Sequence, residues 1–142
     1  MQAGVRKYSR LFCFKEATMT IQEVLSTTDE LKANMMLETT KLRFISEVEG
    51  KLYDEVFKRH VGLPVNEKPV YDDSTDPGTA LLVPAPYDMV YVYWLMAQID
   101  LMNQEMDKYN NDRALFENAW QEFTDYWRRG HMPITRCPRF VI

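Results

Sequence analysis

The sequence predicts a mainly α-helical single domain, namely a small four-helix bundle with a long proline-rich loop or β-hairpin between helices 2 and 3 and an extended C-terminal tail. Two observations support this class. Apolar residues recur at helical spacing in four segments, and five of the seven prolines fall between Val61 and Pro86, where no helix can continue. With 142 residues and 46% hydrophobic content, the chain has the size and composition of one globular domain.

The first helix is predicted to begin at Thr20, whose hydroxyl suits an N-cap with Glu23 three residues on. Its buried side then comprises Ile21, Val24, Leu25, Thr28 and Leu31. Residues 1–18 show no clean period, and Met19 fits an alternative translation start. We therefore interpret residues 1–18 as an N-terminal extension, either upstream of the native start or a mobile arm, and residues 19–130 as the helical domain.

A second, amphipathic helix is predicted to follow residues 34–36 and to end near His60 and Gly62. Its apolar stripe comprises Leu42, Ile45, Val48, Leu52, Tyr53, Val56 and Phe57. Its charged face comprises Lys41, Arg43, Glu47, Glu49, Lys51, Asp54 and Lys58. One side of this helix should therefore pack on the rest of the domain.

The stretch from Val61 to Pro86 is predicted to be an extended loop or a hairpin. Residues 69–71 and 79–83 suit short strands, and the Asp-rich residues 72–78 suit the turn between them. A loop of this length in a compact domain usually binds a partner or becomes ordered in an assembly. We therefore place one candidate protein-contact segment here, with Tyr71, Asp72, Asp73, Leu81 and Leu82 as its contact residues.

The third helix is predicted from Tyr87 to Asn110 and is apolar almost all round between Val90 and Ala97, so it should be the central helix. Residues 110–112 supply a turn and an N-cap for the fourth helix. The short turn predicts that the two helices pack antiparallel.

The fourth helix is predicted to end at Gly130, with Arg128 and Arg129 in its last turn. Its apolar stripe comprises Phe116, Ala119, Trp120, Phe123, Tyr126 and Trp127. Residues 131–142 then form an extended, basic tail with an apolar tip. The candidate contact residues of the tail are Arg136, Arg139, Phe140, Val141 and Ile142.

Charge is unevenly distributed along the chain. Residues 1–17 carry +3 and residues 128–142 carry +4, so residues 18–127 must carry −11 to give the net charge of −4. Phosphate backbones repel such an acidic body, which argues against duplex recognition unless the two basic ends act together. Cys13 and Cys137 belong to no CxxC or Cys/His cluster, so we expect free thiols, although a bridge between the ends stays open.

No sequence signature of catalysis is present, because the chain lacks the P-loop, GxGxxG, HExxH, GxSxG and EF-hand patterns. His60 and His131 each follow a helix and fit cations near a helix C-terminus. The Glu-x-x-His pairs of di-metal bundles are missing. Asp72, Asp73 and Asp76 could hold calcium, but turns are commonly Asp-rich for backbone reasons. We expect no enzymatic activity, no cofactor and no metal, and no transmembrane helix.

The aromatic residues of helices 3 and 4 could form a stacking platform for bases, but their helical spacing favours core packing. Together with the methionines they exceed what one subunit of this size buries comfortably. The methionines concerned are Met35, Met36, Met89, Met96, Met102 and Met106. Because interfaces favour aromatic residues and Met, this surplus points to a protein interface.

An ordered set of motifs carries a family resemblance. The chain reads MTIQEV at 19–24, FISEVEG at 44–50, LVPAPYD at 82–88, AQID at 97–100, YNND at 109–112 and YWRR at 126–129. Over residues 19–133 it resembles the small head-tail connector (adaptor) proteins of long-tailed bacteriophages and of prophages of Gram-positive hosts. Residues 1–18 lie outside the resemblance.

The resemblance implies a structural virion protein of the neck, assembled in the host cytoplasm without a membrane. Subunits would form a ring below the portal protein, join the capsid to a tail-side neck or head-tail joining protein, and let genomic DNA pass without sequence-specific binding. Residues 71–82 and 136–142 would be the contact segments. The alternative is a generic helical protein-interaction or regulatory protein of a prophage. A DNA-binding regulator would need a basic recognition helix, which no helix here offers.

Overall fold

The computed structural model describes residues 18–134, and this part of the chain is mainly helical, as the sequence predicts. Its elements are β1 (Thr18–Thr20), α1 (Ile21–Leu31), α2 (Glu38–Glu55), a 3-10 helix (Phe57–Arg59), β2 (Ala80–Pro84), α3 (Met89–Met102) and α4 (Met106–Gly130). Helix α3 is central, because it packs against α1, α2 and α4. Thr18 belongs to β1, whereas the rest of the predicted N-terminal extension lies outside the described residues.

Helix α1 begins with the predicted capping box. The Thr20 hydroxyl accepts a hydrogen bond from the Glu23 backbone N–H at 3.2 Å, and the Glu23 carboxylate accepts one from the Thr20 N–H at 3.1 Å. These two bonds satisfy backbone donors that a helix N-terminus otherwise leaves free. The helix then buries Ile21, Val24 and Leu25.

Replacing Thr20 by alanine should lower the free energy of unfolding by about 1 kcal/mol, because the Glu23 N–H loses its acceptor. Urea unfolding followed by circular dichroism measures the change. Thr20→Ser keeps the hydroxyl and should retain most of the stability. Equal losses in the two variants would assign the effect to the missing methyl group instead of the cap.

Helix α2 confirms the predicted apolar stripe but ends earlier than the sequence predicts. Val56 departs from ideal helical geometry, with φ −115° and ψ −64°, and the chain tightens into the 3-10 helix. This turn directs Phe57 into the core, where its ring lies 5.7 Å from that of Phe123 and 4.6 Å from that of Trp127. The predicted charged face of α2 was also wrong at two positions, since Lys41 and Glu49 are buried.

The predicted hairpin between residues 69–71 and 79–83 does not form. Strand β2 is present, but its antiparallel partner is β1, with Thr18 opposite Pro84 and Thr20 opposite Ala80. The backbone N–H and C=O of Tyr71 bond instead to the hydroxyl of Ser46, at 2.7 and 3.0 Å. Two further backbone bonds tie residues 77–79 to the start of α1. The proline-rich segment is therefore a long loop held against α1 and α2.

The boundary between α3 and α4 also differs from the prediction. Helix α3 ends at Met102, and residues 110–112 lie inside α4 instead of forming a turn. The chain reverses at Gln104, which has a φ of 59°, and the Glu105 N–H donates to the Asp100 carbonyl at 2.9 Å. Asp112, expected as an N-cap, is buried in the second turn of α4 and forms an ion pair there.

The aromatic residues of α3 and α4 form the core, as their spacing predicts. Trp94, Phe116, Phe123 and Trp127 are buried, while Trp120 and Tyr126 pack partly exposed against the same cluster. Edge-on and tilted ring pairs connect α4 to α3 and to the 3-10 helix. These side chains therefore contribute to stability and are poorly placed to stack on nucleic-acid bases.

Candidate protein-interaction surface

The predicted contact loop is exposed only in part. Tyr71 and Leu81 are buried, with 9% and 2% of their surface exposed, and Leu82 is half-buried. The expectation that Tyr71 and Leu81 offer exposed contact positions was wrong, because both side chains complete the core beneath the loop. Asp72 and Asp73 are exposed, and their contact role stays a prediction. The predicted contact residues of the tail, 136–142, lie outside the described residues.

The aspartates at the loop tip shape its turns. The Asp72 carboxylate accepts hydrogen bonds from the Ser74 hydroxyl at 2.5 Å and the Ser74 N–H at 2.9 Å, and these bonds lower the pKa of Asp72. Asp76 accepts one from the Gly78 N–H at 3.0 Å. Between residues 18 and 134, no three acidic, histidine or cysteine side chains are grouped as a metal ion requires. Asp72 and Asp76 are therefore accounted for by turn chemistry.

Beneath the loop, a buried carboxylate joins four elements of the fold. Glu49 of α2 accepts hydrogen bonds from the Tyr91 hydroxyl at 2.5 Å, the Tyr71 hydroxyl at 2.9 Å and the Leu82 N–H at 3.2 Å. The Tyr91 hydroxyl in turn accepts one from the Val83 N–H at 3.0 Å. Burial raises the pKa of Glu49 to about 7, against the opposing effect of these donors. Because every partner is satisfied internally, this network holds the loop and β2 in place but offers no open site for a substrate.

A second charged cluster lies where α1, α3 and α4 meet. The Lys32 ammonium, just after α1, contacts the carboxylate of Asp100 on α3 and that of Asp112 on α4, the latter at 2.6 Å. Burial opposes the charged form of Lys32, but the two carboxylates outweigh it and raise the pKa of Lys32. The pKa of Asp100 is raised by burial and by the Asp112 carboxyl beside it. This cluster fixes the C-terminal end of α1 against the helical hairpin.

The polypeptide between α1 and α2 is held in a defined turn next to this cluster. The Asn34 amide nitrogen donates to the Asp29 carboxylate and to the Lys32 carbonyl, both at 3.0 Å, and its oxygen accepts from the Met36 N–H at 3.1 Å. Asp29 also pairs with the buried Lys41 at 2.6 Å. The turn therefore presents the intervening Met35 side chain to solvent.

An apolar groove of about 430 Å³ lies at this end of the molecule. We call it the methionine groove, and it is lined chiefly by Asn34, Met35, Met36, Leu37, Ile99 and Met102. Met35 is 100% exposed, Leu37 71% and Met102 61%. Exposed apolar residues also occur beside it in sequence, at Leu31, Leu101 and Met106. Exposed apolar grooves of this kind are typical of protein-interaction sites, and methionine side chains can adapt their shape to a partner.

A second group of exposed apolar residues lies at the opposite end of α2. The chain following α4 pairs with the chain following the 3-10 helix: the Val61 N–H donates to the Met132 carbonyl and the Ile134 N–H to the Arg59 carbonyl, each at 2.8 Å. Val61, Met132 and Ile134 are exposed there. The chain therefore leaves the described region, towards residues 135–142, at the end of α2 that lies away from the methionine groove.

The two histidines have structural partners at this end, in keeping with their predicted place after a helix. His60 is buried, and its Nδ1 donates to the Val56 carbonyl at 2.7 Å. His131 donates from Nδ1 to the Trp127 carbonyl at 3.0 Å, and its ring stacks on that of Trp127 at 3.6 Å. Both rings therefore cap helix-end carbonyl groups.

No family model, curated protein or solved structure matches the chain. Within residues 18–134, no helix has the length and apolar character needed to cross a membrane. The chemistry of the exposed surfaces and the resemblance in the sequence motifs are therefore the features that bear on function. Among these surfaces, the methionine groove is the strongest candidate for binding a partner.

Proposed function

We propose that this protein is a head-tail connector (adaptor) subunit of a long-tailed bacteriophage or prophage. Subunits would form a ring below the portal protein and join the capsid to a tail-side neck or head-tail joining protein. The observation that carries the proposal is the exposed methionine groove, at the opposite end of α2 from the point where the chain continues towards its tail. The ordered sequence motifs give it the family context.

A ring requires two different surfaces on each subunit, because every subunit contacts one neighbour through one surface and the next neighbour through the other. The described residues have exposed apolar side chains at both ends of α2, including Met35 and Met102 at one end and Val61 and Met132 at the other. The buried network around Glu49 and the cluster around Lys32 hold these ends in a fixed relation. A subunit with two such surfaces in a fixed relation can repeat the same contact from one neighbour to the next.

The charge distribution supports the same role. Residues 18–127 carry a net −11, given +3 and +4 at the two ends and −4 overall. An acidic wall repels the phosphate backbone and would let genomic DNA pass through a channel without binding to it. In this role, the subunit would assemble in the host cytoplasm and reside in the virion neck, with the portal and the tail-side protein as partners. Asp72 and Asp73 at the exposed loop tip would contact one of them.

Mass photometry of the purified protein, alone and mixed with the portal protein of the same genome, tests the proposal. We expect a ring or a portal-bound complex, and we expect Met35→Asp with Met102→Asp to remove it. Leu115→Asp changes an exposed apolar residue of α4 outside the groove lining and serves as the matched control. If the wild type stayed monomeric and did not bind the portal, the connector proposal would be contradicted. The generic helical interaction or regulatory protein would then be favoured.

A further inference from the structure

We infer that residues 136–142 of one copy of this chain dock into the methionine groove of a second copy. The occupant of the groove is therefore the apolar, basic segment that follows the described region, supplied by a neighbour. The inference deepens the proposed function, since it names both sides of the contact between neighbouring subunits. It rests on that proposal for its biological setting, but the contact can be tested separately.

The groove and the segment are chemically complementary. The groove presents flexible thioether side chains and Leu37, surfaces that accept apolar groups of varied shape. The segment ends in Phe140, Val141 and Ile142, three consecutive apolar residues. Pro138 precedes them and favours an extended chain, the form in which a short segment presents its side chains to a groove.

The charges of the segment also complement those near the groove. Arg136 and Arg139 lie in the segment, and no acidic residue follows Asp125. Exposed Glu38 immediately follows Leu37 of the groove lining, and exposed Glu30 lies four residues before Asn34 of that lining. Neither carboxylate takes part in an ion pair among residues 18–134. Two arginines of a docked segment would therefore meet carboxylates that have no competing cation.

The reach of the chain prevents Phe140 from entering the groove of its own copy. Ile134 is bonded to Arg59, beyond the C-terminal end of α2, whereas the groove lies at the N-terminal end of α2. The 18 residues of α2 span about 27 Å. Phe140 is six residues beyond Ile134 and reaches at most about 20 Å in a fully extended chain. The groove of a second copy is therefore the one that Phe140 can enter.

Because the segment and the groove lie at opposite ends of α2, the contact is heterologous. Each copy inserts its segment into one neighbour and receives the segment of another. Such a contact repeats until the assembly closes on itself or continues as a chain of subunits. Closure would give the ring of the proposed connector.

A mixing experiment with full-length variants tests the contact. The groove variant carries Met35→Asp and Met102→Asp, and the segment variant carries Phe140→Asp and Ile142→Asp. Each variant alone should lose self-assembly. Mixed in equal amounts, they should form a pair of two copies and nothing larger, because one intact segment then meets one intact groove. Sedimentation velocity at micromolar concentration counts the copies, circular dichroism checks the fold, and Leu115→Asp should assemble like the wild type.

The outcomes separate this contact from the connector role. Rings that persist in both variants would overturn this contact and the role of the methionine groove, but the ring itself would still support the connector proposal. A mixture that stays monomeric would also overturn the contact. If the wild type formed open-ended rows of subunits and the mixture formed the pair, the contact would be supported and the ring would be contradicted. Residues 11–14, Leu-Phe-Cys-Phe, are another short apolar run outside the described residues. Loss of assembly with Phe12→Asp and Phe14→Asp, but not with the segment variant, would assign the groove to residues 11–14 and overturn the inference.

Discussion

Replacing Glu49 by alanine should lower the free energy of unfolding by about 3–5 kcal/mol. The change leaves a cavity in the core and removes the acceptor of three donors, the hydroxyls of Tyr71 and Tyr91 and the Leu82 N–H. These donors lie on the loop, α3 and β2, so one side chain links three elements to α2. Urea unfolding monitored by circular dichroism and by tryptophan fluorescence measures the loss.

Two variants show whether the hydrogen bonds or the side-chain volume matters more. Glu49→Gln keeps the shape and one good acceptor, so it should cost clearly less than alanine. Tyr91→Phe removes the hydroxyl that links Glu49 to the Val83 N–H and leaves both groups short of a partner. If Glu49→Gln destabilised the protein as much as Glu49→Ala, the charge of the carboxylate would have to be the essential property.

The raised pKa of Glu49 predicts that the stability of the protein depends on pH. Burial raises the pKa of Glu49 in the folded state to about 7, above its ordinary value of 4.5. Between these two values the folded state holds a proton that the unfolded state has released, so stability falls as pH rises through this window. For this group alone the fall amounts to about 3 kcal/mol.

The comparison with Glu49→Gln isolates that contribution, because other titrating groups are common to both proteins. The difference in unfolding free energy between the two proteins should change between pH 4.5 and 7 and become constant above about pH 8. Urea titrations at several pH values measure it. Parallel pH curves for the two proteins would contradict a raised pKa for Glu49.

The start of α1 and the apolar stripes could be predicted from sequence because they depend on local chemistry. Thr20 and Glu23 complete their bonds within three residues. The stripe of α2 needs only the helical period to place Ile45 and Val48 on one side. Such features are independent of how distant parts of the chain meet.

The features that were missed depend on distant partners. Strand β2 pairs with Thr18–Thr20 instead of its neighbour in sequence, and nothing local to either strand specifies that choice. Glu49 fits the charged face of a helix in the sequence, and only its tertiary contacts with Tyr71 and Tyr91 reveal that it is buried. One signal was available in the sequence: Asp100 is the only charged residue of α3 (Met89–Met102), and an isolated acid in so apolar a helix requires a buried partner.

The turn after α3 was misplaced for a similar reason. Asn110 and Asn111 have the composition of a turn, but the chain reverses at Gln104, a residue type that rarely adopts a positive φ. The earlier turn places Asp112 inside α4, where it meets Lys32. The tertiary ion pair thus accounts for an acid that the local pattern assigned to an N-cap.

Replacing Lys32 by methionine should also be strongly destabilising, by about 3–5 kcal/mol, because it leaves two buried carboxylates facing each other without a cation. Methionine keeps most of the side-chain volume, so the loss reports the charge and not a cavity. The loss should shrink as pH falls, since the pKa of Asp100 is raised and its protonation relieves the repulsion from the Asp112 carboxyl. Urea unfolding at two pH values measures both effects.

Lys68→Met is the matched control, because it removes the same charge from an exposed pair with Asp54 at 2.6 Å and should cost less than about 1 kcal/mol. A triple variant that adds Asp100→Asn and Asp112→Asn to Lys32→Met should recover much of the stability, because no buried charge is then left unpaired. Equal losses for Lys32→Met and Lys68→Met would show that the cluster is not effectively buried.

Since Lys32 fixes the end of α1 beside the methionine groove, Lys32→Met should also speed hydrogen exchange in residues 33–37 and weaken self-assembly, whereas Lys68→Met should leave both unchanged.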